Sequence, residues 1–324
     1  MRATEFPIRR FRATDSEKLA ELLRPLALFE EVVTSAALLH RRLAMPRRAK
    51  ALWLVAHEGD RLLGHGLVEP QIFGGAPRLR RIWVGVAPSH QKMGLGSRLF
   101  DTVAGHALTV GATQLKSWAR ADMPEGVRFL EARGFARTFT ERQWTVDPNN
   151  APWSELDSRI EAAGAEGFTI APLSRLEGLE RPLYRLFMEA DSDAPHDSGH
   201  RGVTLASWRR LILDNPVLDR DGSFVALHGG EPVALCWLLV DQATGWAAHE
   251  FTGTARAFRR RGLARLVKLA ALRWAAENGI SSIGTANDST NRDILALNRD
   301  LGYRSGPDAY GYLRDARPPQ RGHH

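Results

Sequence analysis

The sequence predicts an α/β protein in which one mixed, mostly antiparallel sheet flanked by helices occurs twice, and three observations lead there. The first is an internal repeat: VGVAPSHQKMGLGSRLF at 84–100 matches TGTARAFRRRGLARLVK at 252–268. The offset of 168 positions that aligns Gly94 with Gly262 also carries Leu95 to Leu263, Gly111 to Gly279 and Gly134-Phe135 to Gly302-Tyr303 without a gap. The second is that both halves show the same order of strand-like and helix-like segments. The third is size, since 324 residues with 44% hydrophobic content suffice for two cores.

Each half opens with a short strand, 7–10 or 168–171, followed by helical segments. A hairpin comes next, 52–68 or 223–240, each turning at glycine. A further strand, 80–86 or 247–254, leads into a glycine loop and an amphipathic helix. One more strand (113–119; 281–286), a second helix (124–133; 291–300) and a last strand complete the unit. Pro148, Asn149, Asn150 and Pro152 mark the junction. The units are therefore expected over 1–148 and 167–316, with a linker at 149–166 and a disordered tail at 317–324.

Composition narrows the function. No apolar run reaches membrane-spanning length and no signal segment follows MRATEFPIRR, so a cytoplasmic protein without membrane partners is expected. The single cysteine, Cys236, lies in LCWLLV and reads as a small buried strand residue. The net charge of +7 suits anionic ligands. Charge alone does not dismiss nucleic acid, but neither a recognition-helix nor an RNA-binding aromatic motif is present, and no nucleic-acid partner is expected. The oligomeric state is not readable.

The loop Arg259-Arg260-Arg261-Gly262 runs into a helix, where free backbone N–H groups, the helix dipole and arginine charge all favour a phosphate. A solvated charged turn is the other reading. The two loops, Gln91-Lys92-Met93-Gly94-Leu95-Gly96 and Arg259-Arg260-Arg261-Gly262-Leu263-Ala264, resemble the Gln/Arg-x-x-Gly-x-Gly/Ala loop of the GNAT superfamily of acetyl-CoA-dependent N-acetyltransferases, in the tandem arrangement of two-domain bacterial members.

That resemblance implies tandem GNAT (acyl-CoA N-acyltransferase) domains with acetyl-CoA as cofactor. It implies a bulged strand before each loop, at Val84 to Val86 and at Thr252, Gly253 and Thr254, whose amides hold the pantetheine arm. It further implies an asparagine in the second helix that contacts the cofactor, seven residues before a tyrosine that protonates the CoA thiolate. The second unit offers Asn291 with Asn298 in the tyrosine's place, and Asn287 lies nearby. The first unit has Met123 and Leu130 there and is expected to be degenerate. Turn and N-cap roles are the alternative for Asn287 and Asn291, and a packed polar place in the helix is the alternative for Asn298. Tyr303, Tyr310 and Tyr312 are candidate substitutes for the missing tyrosine.

A carboxylate on the strand before the loop can take the proton of an attacking amine. Glu250 stands there, and strand alternation puts it on the face of Thr252 and Thr254; its first-unit counterpart is Ile82. An arginine-paired strand-edge carboxylate is the alternative reading. His249 points to the other face and reads as structural. Lys268 is expected either at the cofactor's 3′-phosphate or in solvent. On the acceptor side, Asp191 and Asp193 in EADSDAPHDSGHRG would attract a cationic amine, as would Asp197; a solvated acidic loop is the alternative. His196 and His200 invite a metal reading that the wrong EF-hand spacing argues against, so no metal is expected. The expected activity is acetyl transfer to the primary amine of a small molecule by direct attack, the alternative being a non-catalytic acyl-CoA-binding or regulatory protein.

Overall fold

The structure is a computed structural model, and it describes residues 6–71, 78–195 and 203–317. The first half runs β1 (Ile8–Arg10), α1 (Ser16–Leu23), α2 (Ser35–Ala44), β2 (Leu52–Glu58), β3 (Arg61–Pro70), β4 (Leu79–Val86), α3 (Leu95–Thr109), β5 (Gln114–Arg120), α4 (Pro124–Glu131) and β6 (Ala136–Val146). After α5 (Leu156–Ala165), which occupies the expected linker, the order repeats: β7 (Phe168–Pro172), α6 (Glu180–Ser192), α7 (Leu205–Trp208), β8 (Leu218–His228), β9 (Glu231–Asp241), β10 (Trp246–Thr254), α8 (Leu263–Glu277), β11 (Ser282–Asp288), α9 (Arg292–Asp300), β12 (Arg304–Ser305) and β13 (Ala309–Asp315). Each element expected from the repeat is present.

What the sequence did not predict is how the last strands are shared. One continuous sheet runs β1-β2-β3-β4-β5-β13-β6-β11-β10-β9-β8-β7, so the halves exchange their final strands. β13, from the chain's end, pairs with β5 over Ala309–Asp315, while β6 leaves the first half and pairs with β11 over Ala136–Val146's second part, Glu141 to Val146. The cores follow. Tyr312 is buried with Leu99, Val103 and Leu115 in the first half; Trp144 and Val146 are buried with Leu269 and Ile283 in the second.

Both units also open in the same way. β4 and β5 pair in parallel only at Leu79–Arg81 with Gln114–Lys116, and β10 and β11 only at Trp246–Ala248 with Ser282–Gly284. Beyond these points each pair of strands parts. A hydroxyl bridges each split at its apex: Ser117 Oγ donates to the Ile82 carbonyl at 2.9 Å, and Thr285 Oγ1 to the His249 carbonyl at 3.0 Å.

Candidate active site

The glycine loops are built alike. Lys92 and Gly94 have φ of +60° and +81°, and Arg260 and Gly262 have +65° and +75°. These left-handed positions turn the chain into α3 and α8. Gln91 Nε2 donates to the Val86 carbonyl at 3.2 Å, and Arg259 Nε donates to the Thr254 carbonyl, its repeat equivalent, at 3.1 Å. A Cβ at Gly94 or Gly262 would meet no protein atom. The space before each helix N-terminus is thus open to a ligand, and it fits a pyrophosphate approaching bare backbone. Replacing Gly262 with valine should therefore weaken acyl-CoA binding at least tenfold, by forcing a branched residue to φ of +75° and filling that space. Titration calorimetry with CoA measures it, and unchanged affinity would refute the loop's role.

The arginines of the second loop are not free cations. Arg259 and Arg256 both bind Asp193, at 2.6 Å and 2.5 Å, while Arg260 pairs with Asp293 and Arg261 with Glu166. Asp193, expected on the acceptor side, is corrected to a brace between α6 and the loop. Hydrogen bonds from Arg256 and Arg259 hold its carboxyl well below the usual carboxylate range. Asp191 is buried in the last turn of α6. His196, Asp197 and His200 lie outside the described residues.

Asn298 takes the packed alternative: it is fully buried, and its Nδ2 donates to Asn287 Oδ1 at 2.7 Å, tying α9 to β11. Asn291 caps α9, its Oδ1 accepting from the Ile294 amide.

Glu250 sits on a bulge. His249 pairs with Leu238 and Phe251 with the next residue, Trp237, leaving Glu250 as the extra residue in β10. The bulge reverses the alternation on which the same-face expectation rested. Thr252 faces Cys236 on the α8 side, whereas Glu250 opens with Trp237 and Leu239 onto the opposite side. There it lines a cavity of about 320 Å³ that the first half completes with Glu30, Glu31, Arg41 and Arg81.

The first half reaches this place through the segment after α1. Trp246 Nε1 donates to the Glu31 carbonyl at 3.3 Å, and the Phe29 amide donates to Gln143 Oε1 at 2.7 Å. Gly284 has to be glycine because a Cβ there would run into the Phe29 carbonyl. Comparison of the halves gives no signal for this segment, because the offset of 168 holds only from β4 onward, β1 and β7 beginning 160 residues apart.

Enclosure in the protein and the nearby Glu31 push the Glu250 carboxyl up to about 7, with Arg81 and Arg41 pulling the other way. Its side chain keeps surface facing the cavity, so water there works against the rise. Glu30 is pushed up further, by burial and by Glu141, Glu31 and Glu250.

Beneath the bulge lies a buried polar knot. His249 Nδ1 and the Tyr303 hydroxyl share a hydrogen bond, and Lys268 Nζ lies 4.8 Å from the Tyr303 ring centre. Tyr303 is thus engaged under the sheet, and β13 carries Tyr310 and Tyr312 to β5, so none of the three substitutes stands in the β10–β11 split. Lys268 is 1% exposed, which corrects both of its expected roles, and burial lowers its pKa to about 8. A lysine titrating near 10.4 when unfolded and about 8 when folded costs about 3 kcal/mol at neutral pH. Lys268→Met should raise stability at pH 7 by up to that amount. The unfolded state binds the extra proton between these values, so the wild type should gain on the variant as pH rises from 8 to 10.4. Denaturant titrations across that range check it; a less stable variant would contradict it.

A third set of residues shapes the first-half cleft. A cavity of about 500 Å³ follows the β4–β5 split past Val84 and Val86, and one of about 400 Å³ lies between Gln91, Gly94, Gly96 and Phe129. Met93 is exposed beside it.

Comparison with known proteins agrees with this architecture. The model of the Acetyltransferase (GNAT) family matches residues 17–135 and 182–303, one match per half. A mycothiol acetyltransferase of Kytococcus sedentarius is 26% identical over 301 residues, covering 89% of this chain and 90% of that protein. A second, from Amycolatopsis mediterranei, is 26% identical over 226 residues, covering 67% and 70%. Among solved structures, a tandem GNAT protein from the clavulanic acid biosynthesis pathway superposes with a TM-score of 0.75 at 18% identity, covering 98% of this chain and 100% of that one. A GCN5-related N-acetyltransferase from Sphaerobacter thermophilus gives 0.66 at 18% identity, covering 97% and 96%. The repeat, the paired glycine loops and the split strands therefore have one explanation: the chain belongs to the acetyltransferase (GNAT) family, as a tandem, acyl-CoA-dependent acyltransferase similar to mycothiol acetyltransferases.

Proposed function

We propose that the second unit transfers the acetyl group of acetyl-CoA to the primary amine of a small molecule by direct attack. The observation that carries this reading is Glu250, raised on the β10 bulge beside the split and facing a cavity large enough for an acceptor. Acetyl-CoA supplies the thioester. Arg259 to Ala264 and the α8 N-terminus hold its pyrophosphate, and the Thr252, Gly253 and Thr254 backbone lies along its arm. Glu250 takes a proton from the ammonium or from the nitrogen as the C–N bond forms. The C–S bond then breaks, and the thiolate is protonated from solvent.

The first unit, with Ile82 where Glu250 would be, is read as non-catalytic, its Val84 to Gly96 cleft retaining room for a cofactor molecule. Functionally the chain divides at 149–166. Screening an amine library for acetyl-CoA-dependent thiol release, with acceptors related to mycothiol included, tests the reading. Release that needs no amine would indicate hydrolysis and overturn it.

A further inference from the structure

Away from both clefts, a cavity of about 350 Å³ lies where the end of α2 meets β1 and β2. Arg10, Arg42, Arg47 and Lys50 line it, and Phe11 and Trp53 form its apolar wall. Some of the other arginines are matched with carboxylates, while Arg80, Arg98 and Arg314 are held on backbone carbonyls. Arg9 pairs with Asp15, Arg41 with Glu69, and even the three loop arginines have acidic partners. Among the described residues none of these four cations has a carboxylate within ion-pair distance. All four side chains are exposed, so water and salt screen their mutual repulsion, and an anion held between them relieves what remains.

The helix dipole at the α2 C-terminus accounts for Arg42 alone, because Arg10, Arg47 and Lys50 come from other segments. The turn that carries Arg47 and Lys50 is also held in place. His106 Nε2 bonds the Lys50 carbonyl at 2.8 Å, Arg80 Nη1 donates to the Ala49 carbonyl at 2.7 Å, and Lys50 is kept at φ of +50°. A non-glycine residue stays in that left-handed region only when its surroundings fix it, and the inference runs from such an outlier to function. Arg42 lies 5.4 Å from the Phe11 ring centre, which orients its guanidinium. His106 is eleven residues beyond Leu95 on α3, so roughly 16 Å of helix separates this cavity from the first glycine loop.

We propose that this cavity binds a small phosphorylated ligand of mononucleotide size, its phosphate among Arg42, Arg47 and Lys50 and its planar ring against Trp53. Arginine forks match phosphate oxygens bidentately, and the half-buried indole offers a stacking face. The site is independent of the acetyl-transfer reading.

Calorimetry on the full chain tests it using AMP, UMP, ribose 5-phosphate and uridine, the cavity's share of the binding being the part that the variants below remove. At least one mononucleotide should bind, ribose 5-phosphate about tenfold more weakly, and uridine not measurably. Binding should weaken with salt. Arg47→Ala combined with Lys50→Ala should cost at least tenfold in affinity, with thermal unfolding and acetyl transfer unchanged. Arg42→Ala alone is the check should the double variant fold poorly. The proposal is overturned if neither nucleotide binds, if binding ignores these variants, or if a 12-nucleotide single strand binds over a hundredfold more tightly than the mononucleotides, which would make this a nucleic-acid surface.

Discussion

Glu250→Gln should lower turnover by ~10²–10⁴-fold while leaving CoA affinity within about twofold, the range expected when positioned proton transfer is removed. Enclosure and Glu31 push the carboxyl up toward about 7, while Arg81, Arg41 and the water reaching its exposed side chain hold it back. A base has to be ionised, so wild-type turnover should fall as pH drops through that region. The variant should lose this limb, and the gap between the two should narrow at high pH, where the amine deprotonates unaided. Initial rates from pH 5.5 to 9.5 decide the matter. A variant matching the wild type throughout would remove Glu250 from the mechanism.

Much of the fold was legible because the repeat is ungapped at the positions that turn the chain. Gly94 and Gly262 have to adopt positive φ, and a glycine ahead of an amphipathic helix is visible in any sequence. Glu250 was found for an incomplete reason. Residue counting placed it on the right strand, but alternation assumes regular pleating, and the bulge at His249/Phe251 changes the phase by one. Lys268 misled for another reason: a lysine six positions into a helix normally reaches solvent, and only the packing of α8 against β9 and β10 buries it beside Tyr303. For Asp193, sequence distance hides the encounter with Arg256 and Arg259, more than sixty residues on. The part played by Glu30, Glu31, Arg41 and Arg81 at the second-unit cavity was out of reach for the same reason.

The exchange of final strands was invisible because β6 and β13 have suitable patterns for either neighbour, and only the register decides. Its consequence is the second large effect. Cutting the chain between Ala151 and Pro152 would leave residues 1–151 without β13 and 152–324 without β6, although the cut falls between the units. The first fragment would lose fully buried Tyr312 and expose the β5 edge along seven paired positions; the second would lose Trp144 and Val146, 5% and 3% exposed. Each such side chain contributes about 1.5–3 kcal/mol by burial, against a typical total stability of about 5–15 kcal/mol. Open strand edges add a route to aggregation. Expressed separately, the fragments should be insoluble or poorly folded. Expressed together, they should copurify as a one-to-one complex whose far-UV circular dichroism and acetyl-CoA-dependent activity approach those of the intact chain. If β6 simply folded back onto β5 within residues 1–151, that fragment would be a soluble, cooperatively unfolding monomer, and the exchange would not be required for folding.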